Sequence, residues 1–115
     1  MQYMTQAAQA YETAANHRTL REQEADVFRH ATGVLRLARD SDVLPRVRAL
    51  ADNRRLWLAV NNLMHDSRNA LPQELRASIV SLGLAVQREM DHPSPDFDFL
   101  IAVNENIAAG LLIDD

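Results

Sequence analysis

Apolar residues recur along this chain at steps of three and four, the spacing that gathers them on one face of an α-helix. Ala25, Phe28, Ala31, Thr32, Leu35 and Ala38 make one such face and predict a helix from about Leu20 to Arg39. Thr19 and Glu22 form a capping-box pattern at its start, where each side chain can satisfy the other's free backbone N–H. Asp40-Ser41-Asp42 ends it, and Ser41 or Asp42 then serves as cap for a helix reaching to about His65. On that helix Val47, Leu50, Ala51, Trp57, Leu58 and Met64 fall near one stripe, with Leu44 at its entry.

Pro72 and Glu74 mark the next start, because proline loses nothing in a first turn and an acidic side chain suits the positive end of the helix dipole. Leu75, Ile79, Leu82, Val86 and Met90 form its seam. The two prolines of Asp91-His92-Pro93-Ser94-Pro95 require a loop. A last helix begins near Asp96, turns Phe97, Leu100, Ile101, Asn104, Ala108 and Leu111 inward, and has Gly110 as its expected C-cap. Upstream, Tyr3, Ala7, Ala10, Tyr11 and Ala14 give a weaker helical pattern, so residues 1–18 are expected to be a loosely docked segment.

The expectation is therefore an all-α protein, a single small helical bundle of four to five helices in one domain spanning 1–115. The composition agrees, since the good helix formers Ala, Leu and Arg are the commonest residues and only three glycines and four prolines interrupt them. Gly33 and Gly83 fall inside helices, where each costs about 1 kcal/mol relative to alanine, and close contact between helices would account for them.

Charge changes the picture in one place. The chain has a formal charge of −4, yet 29–55 holds seven arginines against Asp40, Asp42 and Asp52, so that segment is +4 and the remainder −8. Cysteine is absent, which excludes disulfides, thiolate metal sites and thiol nucleophiles. No apolar run is long enough to span a bilayer and the N-terminus lacks the pattern of a signal peptide, so a cytoplasmic location is expected.

Catalytic chemistry is not visible. His17, His30, His65 and His92 are scattered without metal-ligand spacing. Glu22, Asp26 and His30 share a helix face, and a solvated surface opposite Phe28 explains that row more simply than a cation site. There is no phosphate loop or nucleophile elbow, and Ser67 and Ser78 have no evident base. Neither an enzyme nor a cofactor or metal site is expected. The arginine-rich segment admits a nucleic-acid reading, with Trp57 stacking on a base, but a solvated arginine face and a buried tryptophan fit the overall acidity better.

Asn53-Arg54-Arg55-Leu56-Trp57 sets the only tryptophan beside two arginines and an asparagine. Asn61 and Asn104 are placed to hydrogen-bond across helices. Together with Arg21-Glu22, Glu24-Ala25, Asn69-Ala70-Leu71-Pro72, Leu75-Arg76-Ala77, Ile79, Ser81-Leu82, Leu100-Ile101, Ile107 and Gly110-Leu111, this stretch resembles the FlaF family, the flagellar biosynthesis regulators of alphaproteobacteria. Glu105 departs from the pattern, since the family often has a basic residue after the asparagine.

The resemblance implies a non-enzymatic, all-helical cytoplasmic protein that binds unassembled flagellin, promotes its synthesis and export, and opposes the regulator FlbT. Arg54, Arg55, Trp57 and Asn104 are the candidate partner-binding residues, with the two arginines expected on the rim of an apolar groove. The alternative is an RNA-binding regulator of flagellin mRNA that uses residues 29–55.

Overall fold

The computed structural model describes residues 25–113, with side chains described as far as residue 110. The Thr19–Glu22 capping pair, the predicted segment 1–18 and the side chain of Leu111 lie outside the described residues. α1 runs through 25–38, α2 is Val43–His65, α3 is Gln73–Asp91 and α4 is Phe97–Ile113. No strand occurs among the described residues. The protein is a small all-α bundle.

Contacts between the helices fix their directions. Asn53 and Arg54 of α2 meet Met90 and Asp91 at the end of α3, while Trp57, one turn on, meets Gly83, so α2 and α3 are antiparallel. Arg36 of α1 and Arg39 just past its end pair with Glu105 and Asp98 of α4, which makes that pair of helices antiparallel too. α2 and α4 run the same way, since Arg46 meets Phe97 and Trp57 meets Asn104. Short connections at 39–42, 66–72 and 92–96 complete an up-down-up-down arrangement.

α1 buries the six residues its spacing predicts, from Ala25 to Ala38. Its Thr32 hydroxyl is satisfied in the interior by donating to the Phe28 carbonyl at 2.6 Å. Phe97, Leu100, Ile101, Asn104 and Ala108 of α4 are buried as expected. On α3, Val86 and Met90 are buried and Ile79 and Leu82 half-buried, but Leu75 is exposed.

α2 departs most from expectation. Its buried stripe is Ala49, Asn53, Leu56, Trp57 and Val60, whereas Leu44, Val47, Ala51 and Leu58 face outward. Reading apolar residues alone rotates the stripe, because the position at its centre is held by an asparagine.

The helix ends use local partners. Asp42 is the N-cap of α2 but makes no side-chain capping bond, and Ser41 instead donates to the Leu37 carbonyl at 2.8 Å, closing the end of α1. Asn69 donates to the Leu63 carbonyl at 2.8 Å and accepts from the Leu71 N–H at 2.9 Å, bridging the end of α2 to the turn before α3. In the same loop, hydrogen bonds from Arg68 hold the Asp66 carboxyl at about 2, well below the usual 3.8. Asp96 accepts from the Phe99 N–H at 3.1 Å and so caps α4. Gly110 is not a C-cap: α4 continues to Ile113, and Gly110 keeps a negative φ there.

The other two glycines separate. A Cβ on Gly33 would meet nothing within 4 Å, so no close helix contact explains it. One on Gly83 would lie 3.3 Å from Trp57 Cε3. Gly33→Ala is expected to stabilise the protein by about 0.5–1 kcal/mol through helix propensity. Gly83→Ala should lose that gain, because the indole it would push is held from other sides. Urea unfolding of both variants checks this, and a Gly83→Ala variant as stabilised as Gly33→Ala would refute it.

Candidate functional site

Trp57 is where the four helices meet. The Phe28 ring of α1 meets its indole edge-on, with ring centroids 6.3 Å apart and planes at 89°. Gly83 of α3 lies against its six-membered ring, and the indole N–H donates to Asn104 Oδ1 of α4 at 2.9 Å. The residue is 4% exposed.

That N–H sets the polarity of a buried chain of amides. An indole can only donate, so the Asn104 oxygen must face it and the Asn104 amide nitrogen must point away. The nitrogen donates to Asn53 Oδ1 at 2.7 Å, which in turn directs the Asn53 nitrogen to Met90 Sδ at 3.4 Å. Both asparagines are fully buried. Three helices are thereby joined by polar contacts inside an otherwise apolar core, and the geometry is that of a packing element.

Of the four candidate residues, Trp57 and Asn104 are thus bonded to one another in the interior. Arg54 stands beside them in sequence but reaches α3, donating to Asp91 at 2.5 Å and to the Met90 carbonyl at 3.0 Å. Arg55 points outward and pairs with Asp52 of its own helix at 2.5 Å. The four do not form one surface, and the arginines do not rim a groove over Trp57. Asn61 is exposed and makes no cross-helix bond among the described residues; its side chain lies off the buried stripe, and Asn53 takes the role expected of it. The signal for Asn53 is its spacing, four residues before Trp57 and three before Leu56, which puts all three on one helix face.

The arginine-rich segment is largely engaged. Arg29 faces Asp26, Arg36 faces Glu105, Arg39 faces Asp98, Arg54 faces Asp91 and Arg55 faces Asp52, five of the seven. Arg46 lies over the Phe97 ring, 4.8 Å from its centre. Arg48 has no salt bridge among the described residues.

A shallow groove of about 410 Å³ between α1 and α4 is lined by Arg29, Thr32, Arg36, Glu105, Ala108 and Ala109. Its one buried polar side chain, Thr32, is already satisfied by Phe28. Among the described residues no three His, Asp or Glu side chains gather as a metal site, and no helix is long and apolar enough to cross a membrane. Glu22, the first member of the row with Asp26 and His30, lies outside the described residues.

Neither a curated protein nor a solved structure matches this chain. The family model described as flagellar protein FlaF matches residues 7–111.

Proposed function

Since this chain belongs to the FlaF family of flagellar proteins, we propose that it is a non-enzymatic regulator that binds unassembled flagellin and promotes its synthesis and secretion. Family membership is the observation that carries the reading. Before assembly, the terminal segments of flagellin are amphipathic helices without their filament neighbours, and a helical protein can cover such a face. Binding takes place in the cytoplasm and acts against FlbT.

The surface supports a protein partner over RNA. Carboxylates stand beside five of the seven arginines in 29–55, so the segment presents a phosphate backbone with much less positive field than its sequence charge suggests. Apolar side chains on the outside of the bundle, Leu44, Val47 and Leu58 among them, suit a helix instead.

Titration of the purified protein with flagellin and with flagellin leader RNA, each at two salt concentrations, tests the reading. Flagellin is expected to bind with modest salt dependence. Tight RNA binding that weakens steeply with salt, without flagellin binding, overturns it.

A further inference from the structure

We propose that the outward face of α2 is a docking surface for an amphipathic helix bearing carboxylates along one flank and, resting on the flagellin reading above, that this helix is a segment of unassembled flagellin. Leu44, Ala51 and Leu58 are spaced by sevens along α2, with Val47 between the first two. Such a row is a stripe roughly 21 Å long at about 1.5 Å per residue, with arginines at the step between Ala51 and Leu58. Leu44 is 58%, Val47 54% and Leu58 62% exposed, and Ala51 is exposed as well.

The helix cannot roll this seam inward. Its opposite face holds Asn53, Leu56, Trp57 and Val60 in the core, with Trp57 bonded to Asn104. A helix buried on one side ordinarily carries polar residues on the other. Here the far side repeats large apolar residues at the spacing that a second helix reads.

Charge selects the partner. α2 carries Arg46, Arg48, Arg54 and Arg55 against Asp52 alone. Arg46 and Arg54 are turned to the bundle by Phe97 and by Asp91. Arg48 and Arg55, themselves seven apart, border the seam on one side. Arg48 has no salt bridge among the described residues, and the Arg55 side chain is 76% exposed in a pair with Asp52 that an incoming carboxylate can replace at little cost. The fitting occupant therefore has an apolar stripe with acidic residues beside it at the same spacing. A second copy of this chain fits poorly, because its α2 would set the same arginines against these.

The test uses the full chain and two probes, purified flagellin and a synthetic amphipathic peptide of about 20 residues with leucines on one stripe and glutamates on one flank. Leu44→Ser with Leu58→Ser removes the seam, and Arg48→Glu reverses the flank; both changes are at exposed positions, so both variants should melt with the parent. The serine pair is expected to weaken binding of each probe at least about thirtyfold, and Arg48→Glu about tenfold. A peptide with lysines in place of the glutamates should bind far more weakly than the original.

If flagellin binds the parent and the serine variant equally, the surface is wrong while the proposed function stands. If the parent binds the acidic peptide but not flagellin, the surface chemistry holds and the flagellin reading fails. Failure of the parent to bind either probe overturns the inference. So does a serine-sensitive attachment to anionic lipid vesicles with no binding of the acidic peptide.

Discussion

Trp57→Ala is expected to unfold the protein or bring it close to unfolding. The indole is buried against three other helices, and truncating a core tryptophan costs about 3–5 kcal/mol. A domain of this size has only about 5–15 kcal/mol in total. The loss also strands the Asn104 oxygen, which accepts the indole N–H at 2.9 Å and has no second donor among the described residues. Helical circular dichroism followed through urea unfolding measures the effect. A variant that unfolds with the parent's midpoint would mean that the junction of α1, α3 and α4 on this side chain contributes little, contrary to the packing described.

Asn104→Leu is the second large effect, expected to cost about 2–4 kcal/mol although the two side chains are close in size. The change leaves two buried polar groups unpaired, the Trp57 N–H and the Asn53 oxygen, and each stranded group costs about 1–3 kcal/mol. The mechanism is separable from simple misfit by a double-mutant cycle with Trp57→Phe, which removes the donor and keeps an aromatic ring. In that background Asn104→Leu should cost less by at least about 1 kcal/mol. Equal costs in both backgrounds would show that the hydrogen bond is not what the asparagine supplies.

How much of this is legible in the sequence differs from helix to helix. The buried face of α1 over 25–38 can be read completely, because its residues are small or apolar and follow the helical period without interruption. α4 can be read nearly as well, including Asn104 on its inner face. On α2 the same rule places Leu44, Val47 and Leu58 inside, and they are outside. That helix has two apolar faces, and the one that is buried has Asn53 at its centre, so a count of apolar residues, four on each face, does not tell them apart.

The candidate site is legible only in part for a related reason. Trp57 and Asn104 stand out as residues with a polar atom to satisfy, but their satisfying each other depends on two helices meeting 47 positions apart in sequence. Arg54 and Arg55 are neighbours in the chain yet point about 100° apart around a helix, which sends one to α3 and the other to solvent. Spacing along one helix is enough to find the outward seam. Which of two faces the bundle covers is decided by the other helices.

The amide chain also bears on when the protein can finish folding as it is made. Asn53 and Trp57 belong to α2, but the group that links them, Asn104, belongs to α4. While the chain is being synthesised from its N-terminus, α1, α2 and α3 emerge with the indole N–H and the Asn53 carbonyl oxygen still lacking their partner. Neither can find it before Asn104 has left the ribosome. The shared centre of the bundle therefore cannot be completed from α1, α2 and α3 alone, and its polar contacts wait on the last helix to be made.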